Sequence, residues 1–380
     1  MSVKSARLWI GFAVAAGALA PIGVPPAVIA ARGAQNAQVA SAIASFKDRL
    51  HIPALSVAVV VDGELRFVGA YGTADVESGT AATPATVFRI ASTSKPLAAI
   101  AAMQLTERGA LDLDAPVQKY APAFPVKRFP ITTRQVLAHV SGIRNYRPGE
   151  GERTTRYGSL TDALSIFRND ELDHEPGARF TYTTLGYTLL GVIVEGASGR
   201  SFEDYMRQQV FTPAGMSRTL PDDVLEIVPN RARGYTPRTF GAFDGNYRNA
   251  ILMDSSYKRP GGGWLSTAED LARFAIAVET GRLIRPETFR QMTQGQRTTG
   301  GVETGYAYGW YVNTRDGGRR EGSVWHGGVQ PGFTSDLWLV PSKRFAVAIV
   351  ANLEGGGRLG LADLGEQIAA ILLGPAVPPR

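Results

Sequence analysis

The sequence predicts a mixed α/β fold: one sheet assembled from strands at both chain ends, a mostly helical lobe inserted between them, and a cleft where the two meet. Three observations predict it. Two β-branched apolar runs, 55–61 and 65–71, flank Asp62-Gly63, which is a hairpin signal. Four short apolar runs near the other end, 309–313, 323–325, 334–340 and 345–351, are joined through Asp316-Gly317-Gly318 and Pro341-Ser342. Between them the chain carries helical spacing and helix caps.

Val39, Ile43, Phe46 and Leu50 recur at helical intervals, so 38–50 is expected as a helix ahead of the hairpin. Leu97, Ile100, Met103 and Leu105 mark the next helix, with Pro96 in its first turn and Gly109 at its close. Thr132 or Thr133 can cap a helix holding Val136, Leu137 and His139 that stops at Gly142. A further helix covers 185–197 and closes near Gly199. Ser266-Thr267-Ala268-Glu269 reads as a capping box ahead of Leu271, Phe274 and Ala275, and a last helix covers 361–373. The expected organisation is a leader over 1–30 and a single domain over 31–380. Its sheet lobe spans about 38–95 and 305–375, and its helical lobe about 96–304.

Composition removes several classes of function. The 380 residues, 44% hydrophobic, are enough for one large core or two smaller ones. Cysteine is absent, which excludes disulfides, thiolate metal sites and a cysteine nucleophile. The four histidines have no metal-ligand spacing, and no cofactor is expected. The net charge of +6 is spread along the chain, and Arg231, Arg233 and Arg238 read as solvated surface, so no nucleic-acid partner is expected. Lys4 and Arg7 followed by an apolar stretch to Ala20 read as an export signal, with Val28-Ile29-Ala30 the better cleavage site. A periplasmic or secreted protein is expected, without a stable membrane span once the leader is removed; an uncleaved leader would leave it anchored.

Chemistry concentrates in Ser92-Thr93-Ser94-Lys95. Positions i and i+3 share a helix face, so an amine can reach the hydroxyl and take its proton. The spacing alone is weak, because Ser255-Ser256-Tyr257-Lys258 repeats it. That second copy runs into Pro260-Gly261-Gly262-Gly263, which is expected to stop a helix. Tyr182, in Phe180-Thr181-Tyr182-Thr183-Thr184, is either a half-buried core tyrosine or a phenol that relays a proton, its pKa lowered by the lysine. Trp325-His326-Gly327-Gly328-Val329 lies at the end of an expected strand, as a plain turn or as an edge that admits a substrate backbone. The N–H there and that of Ser92 could form an oxyanion hole. His139 reads as a structural histidine. No Gly-x-Ser-x-Gly elbow and no phosphate loop occur.

Taken in order, Ser-x-x-Lys, a Tyr-x-polar motif ninety residues later and a strand with x-x-Gly near the C-terminus resemble the serine β-lactamase and penicillin-binding-protein superfamily. More narrowly, the chain resembles the branch with class C enzymes, D,D-peptidases, esterases and D-aminopeptidases. Supporting matches are Phe88-Arg89-Ile90-Ala91-Ser92, Leu137-Ala138-His139-Val140-Ser141-Gly142, Pro176-Gly177 and Gly262-Gly263-Trp264-Leu265-Ser266-Thr267. The resemblance implies an antiparallel sheet flanked by helices. It also implies Ser92 as nucleophile, Lys95 as its base, Tyr182 as partner acid and base, and the N–H groups of Ser92 and Val329 as oxyanion hole. Thr184, His326, Gly327, Gly328 and Val329 would contact substrate.

Two positions depart from the family pattern. Thr184 stands where the family has an asparagine, and His326 stands where it has a lysine. A hydroxyl cannot supply an amide's donors and carbonyl together, and histidine is mostly neutral near pH 7. Both changes point away from antibiotics and toward an ester, amide or peptide. Tyr-x-Thr with Ser256-Tyr257-Lys258 also resembles the mitochondrial β-lactamase-like proteins. The expected function is an exported serine hydrolase acting through a Ser92 acyl-enzyme. The alternatives are a β-lactamase or D,D-carboxypeptidase on cell-wall substrates, and a non-catalytic scaffold that keeps the fold. Oligomeric state is left open.

Overall fold

The computed structural model describes residues 26–239, 241–312 and 322–374. Most of the expected leader lies outside them. The first helix, α1 (Pro26–Arg49), begins twelve residues before the expected start at Gln38.

The hairpin forms as the sequence predicts. Strands β1 (Ala54–Val61) and β2 (Glu64–Asp75) pair antiparallel around Asp62 and Gly63, both of which take positive φ (57° and 78°). That left-handed pair matches the twist of the strands it joins. Short strands β3 (Thr80–Ala81) and β4 (Phe88–Arg89) lead to helix α2 (Ser94–Glu107). The helical region then supplies α3 (Thr133–Leu137), α4 (Leu160–Ala163), α5 (Thr184–Ser198), α6 (Phe202–Tyr205) and α7 (Thr212–Ala214). Small strands β5 (Leu220–Pro221), β6 (Tyr235–Pro237) and β7 (Tyr247–Asn249) follow. Next come α8 (Arg259–Gly262), β8 (Trp264–Ser266), α9 (Ala268–Glu279) and α10 (Pro286–Met292). The chain closes with β9 (Tyr311–Val312), β10 (Val324–Gln330), β11 (Phe333–Val340), β12 (Phe345–Ala351) and α11 (Leu361–Leu373).

The main sheet has seven strands in the order β3-β2-β1-β12-β11-β10-β9, antiparallel throughout. Its centre is the pairing of β1 with β12, in which Val57 lies opposite Ile349. The two chain ends therefore meet in one sheet, and the fold class is the one expected. β12 is apolar along its whole length, and β1 at every position but Ser56, because both faces of the sheet are covered. Leu55, Val57, Val59, Val347 and Ile349 share a core with Val39, Ile43, Leu364 and Ile368 of α1 and α11. Ala54, Ala58, Val60, Ala346, Ala348 and Val350 face the opposite core, with α2, α5 and α9. At about 25 cal/mol per Å² of apolar surface, burying a Val or Ile on either face contributes roughly 1.5–3 kcal/mol.

Three local expectations change. The helix expected to reach Gly142 stops at Leu137, and His139 takes a left-handed conformation (φ 57°) outside it. Thr132 caps α3 in a capping box with Gln135, so the start was read correctly and the end was not. Thr267, rather than Ser266, caps α9 by accepting from the Asp270 N–H. Finally, Pro260-Gly261-Gly262 does not stop a helix. A 3₁₀ turn over Ser256–Lys258 runs into α8, where Pro260 occupies the first turn and loses no hydrogen bond.

Candidate active site

Ser92 sits in a 3₁₀ turn, Ala91–Thr93, immediately before α2. Ala91 adopts φ 46°, a left-handed backbone that a residue with a Cβ rarely takes. Neighbouring bonds hold it: Ser94 Oγ donates to the Ala91 carbonyl at 2.6 Å, and the Thr93 N–H reaches the Ile90 carbonyl at 3.1 Å. The turn leaves Ser92 partly exposed at the head of a helix whose next residues are buried.

Lys95 is fully buried, and its Nζ lies 2.9 Å from Ser92 Oγ. It also donates to the Gly261 carbonyl at 2.7 Å and to Thr184 Oγ1 at 3.2 Å. Burial drives its pKa well below the usual lysine value, and the neighbouring Lys258 lowers it further. A neutral amine has two hydrogens and one lone pair. The hydrogens match Gly261 and Thr184, which leaves the lone pair for the Ser92 proton.

Tyr182 completes the group. Its hydroxyl hydrogen-bonds Ser92, and Lys95 Nζ sits 4.8 Å from its ring centroid. Its pKa is raised well above the usual phenol value because it is buried, with Tyr311 and Tyr187 adding to the rise. The expected lowering by lysine is corrected: Lys95 is itself pushed toward its neutral form, so the phenol keeps its proton.

Thr183 fixes the segment that carries Tyr182 and Thr184. Its Oγ1 donates to the Arg144 carbonyl at 2.6 Å and caps α5 by accepting from Gly186 N–H at 3.2 Å. Its own N–H donates to His139 Nδ1 at 3.2 Å. The His139 ring packs on Tyr182 with centroids 4.4 Å apart, and burial, Lys95 and His326 hold it well below the ordinary histidine pKa. His139 thus braces the segment that carries Tyr182; it was expected as a satisfied structural histidine, but its buried Nε2 has no hydrogen-bond partner among the described residues.

His326, Gly327 and Gly328 lie within β10 rather than at its end, paired with Leu337, Asp336 and Ser335 of β11. A Cβ built on Gly328 would meet the Ile90 carbonyl at 2.4 Å, Ser335 Oγ at 2.5 Å and Ser92 N at 2.9 Å. Only glycine lets the strand touch the Ser92 turn so closely. Val329 beyond it is half exposed. The His326 ring points inward: Nδ1 faces the Gly327 carbonyl at 2.7 Å and Nε2 faces the Tyr306 hydroxyl at 3.0 Å. Burial, with Lys95 beside it, lowers its pKa to about 3. With one ring hydrogen given to Gly327, Nε2 accepts from Tyr306. His326 was expected as a substrate contact, and it stands instead as a neutral, fixed part of the wall.

The decoy motif makes no second nucleophile. Ser255 Oγ donates to Asp222 at 2.7 Å, and Lys258 Nζ donates to Gln330 Oε1 at 3.0 Å. Its contribution is α8: the carbonyl that binds Lys95 is Gly261, and a Cβ there would lie 2.7 Å from Thr184 Cγ2. Gly261, Lys258, Tyr306 and Asn145 went unassigned in the sequence, although the family match at Gly262-Gly263 pointed to this neighbourhood. Arg233 is exposed, as expected, whereas Arg231 is only partly so; both line a cavity of about 350 Å³ with Phe333 and Leu265, and Ser92 is not among its lining residues.

Residues 39–370 match the Beta-lactamase family. The chain belongs to the beta-lactamase family. Curated relatives in it include the mitochondrial serine beta-lactamase-like protein LACTB of Mus musculus, 33% identical over 332 residues, covering 67% of this chain and 59% of that protein. The human LACTB is 33% identical over 304 residues, covering 61% and 54%. Protein flp of Staphylococcus aureus is 27% identical over 314 residues, covering 80% and 60%. The chain thus spans between 54% and 60% of the length of these family members. Among solved structures, the octameric penicillin-binding protein homologue from Pyrococcus abyssi superposes with a TM-score of 0.74 at 25% identity, covering 90% of this chain and 78% of that one. EstCE1, described as a hydrolase with promiscuous acyltransferase activity, shares the fold with a TM-score of 0.77 at 23% identity, covering 90% and 99%.

Proposed function

We propose that this chain is an exported serine hydrolase that works through an acyl-enzyme on Ser92, with an ester or an amide, peptides included, as substrate. The observation that carries the reading is the hydrogen count at Lys95. Lys95 Nζ lies 2.7 Å from the Gly261 carbonyl, 3.2 Å from Thr184 Oγ1 and 2.9 Å from Ser92 Oγ, so in the neutral amine the two hydrogens serve the first two and the lone pair can take the Ser92 proton. Ser92 Oγ attacks the carbonyl carbon as its proton passes to Lys95 Nζ. The carbonyl electron pair moves onto oxygen, where the N–H groups of Ser92 and Val329 receive it. Collapse breaks the bond to the alcohol or amine. That leaving group takes the Tyr182 proton, which Lys95 restores. Water then attacks the acyl carbon and gives its proton to the same relay; the bond to Ser92 Oγ breaks, the relay returns a proton to that oxygen, and the acid leaves.

The buried neutral His326 supports an ester or peptide over a β-lactam, since it offers no permanent charge to a substrate carboxylate. The basic, apolar N-terminal stretch supports export.

Intact mass after treatment with a fluorophosphonate tests the mechanism. One adduct is expected, on Ser92, absent in Ser92→Ala. Lys95→Ala is expected to label at least ~100-fold more slowly while keeping its thermal transition. A folded wild-type protein that takes no adduct would rule the mechanism out.

A further inference from the structure

The cavity of about 350 Å³ at Arg231 joins an apolar wall to an unpaired charge. Three parts of the chain build it. Arg89 and Leu265 face each other across the pairing of β4 with β8. The Ala232 N–H donates to the Val87 carbonyl at 2.9 Å, which holds Arg231 and its neighbours beside β4. Phe333 opens β11. Leu265 and Phe333 are buried, whereas Ile251 and Leu252 on the same cavity are 50% and 69% exposed. Two adjacent aliphatic side chains left in water at the edge of a cavity are a contact surface for an apolar body.

Charge on the cavity does not balance. Arg89 pairs with Asp222 at 2.8 Å and Arg233 with Glu77 at 2.5 Å. The remaining neighbouring carboxylate, Asp223, is taken by Arg156 at 2.5 Å. Arg231 forms no salt bridge among the described residues. Its Nη2 donates to the Asp223 carbonyl at 2.6 Å, while Nε and Nη1 have no hydrogen-bond partner there. Among the described residues no acidic side chain lines the cavity. A guanidinium with unused N–H groups is a strong donor to a carboxylate. One uncompensated positive charge favours a monoanion, and the apolar walls favour a chain of carbon attached to it.

We propose that this cavity binds a monocarboxylate with an alkyl chain, its carboxylate on Arg231 and its chain against Leu265, Phe333, Ile251 and Leu252. The site is separate from the acyl-enzyme reading, because neither Ser92, Lys95 nor Tyr182 lines it.

Calorimetric titration of the full chain with octanoate, acetate and octylammonium tests the assignment. Octanoate is expected to bind saturably at one site. Acetate lacks the chain and octylammonium reverses the charge, so each should bind at least about tenfold more weakly. Arg231→Gln removes the charge and should weaken octanoate at least about tenfold. Leu252→Glu sets a like charge at the exposed rim, where folding does not depend on it, and should also weaken octanoate. That second variant keeps the test decisive if Arg231→Gln does not fold. No saturable binding of octanoate would overturn the proposal. Equal binding of acetate or of octylammonium would overturn it too, since the walls or the charge would then play no part. Octanoate affinity unchanged in Leu252→Glu, or in folded Arg231→Gln, would place the ligand elsewhere and overturn it as well.

Discussion

Lys95 and Lys258 show how one residue's chemistry is set by its surroundings. Both are buried lysines whose pKa values fall, Lys258 to about 7, because water is withdrawn from the ammonium and no carboxylate pairs with Lys95. In the proposed mechanism Lys95 is a base only when neutral, so labelling of Ser92 should lose rate on the acidic side. In Lys258→Met a neighbouring positive charge is gone, the charged form of Lys95 becomes easier to reach, and its pKa rises. The acidic limb of the labelling rate is therefore expected at higher pH in Lys258→Met than in wild type. A limb that does not move would show that Lys258 leaves Lys95 untouched. Ser92, Lys95 and Tyr182 could be named together only through the resemblance that their motif order carries, since the spacing alone is weak. The direction of the Tyr182 shift could not, since it depends first on burial, with Tyr311 and Tyr187 adding to it.

At the scale of elements, β10 and the turn before α2 form a close contact that rests on Gly328. A methyl group there would strike backbone atoms of Ile90 and Ser92, which cannot swing aside as a flexible side chain would. Gly328→Ala should displace the strand from the nucleophile turn. The expected result is a kcat/KM about 100-fold lower, the cost of one misplaced oxyanion donor, with about 1–3 kcal/mol lost in stability. A variant with unchanged turnover would separate β10 from catalysis. The element boundaries that sequence placed well are those with strong local signals: the Asp62-Gly63 turn, the Thr132 cap and the 361–373 helix, found as Leu361–Leu373. It misplaced the ends of α3 and β10. At His139 a tertiary bond from the Thr183 N–H compensates a left-handed backbone that helical spacing hid. In β10 the glycines looked like a turn, because the partner strand that keeps them extended follows later in the chain.

For the whole molecule, stability should carry a pH signature from Glu279. It ends α9, where the helix dipole disfavours a negative charge, and both its carboxylate oxygens are buried with no hydrogen-bond partner among the described residues. Burial raises its pKa from the ordinary 4.5 to about 8. Between these values the folded protein holds a proton that the unfolded chain has lost, so stability falls as pH rises from 4.5 to 8 and levels off above. Glu279→Gln carries no charge to bury. Its gain in Tm over wild type should be several degrees greater at pH 8.5 than at pH 5, and an equal gain at both would refute the assignment.

Pattern along the chain was enough for the fold class, the meeting of both ends in one sheet, and the group Ser92, Lys95 and Tyr182. Those features are written in periodicity, caps and motif order, which act over a few residues or a fixed spacing. Folding alone lowered the pKa values of Lys95 and His326, made Gly261 a partner for the amine, and set the amide of Asn145 beside Thr184. Each of these depends on contacts between residues far apart in sequence, and on the loss of water around them, and neither is visible until the chain has closed on itself.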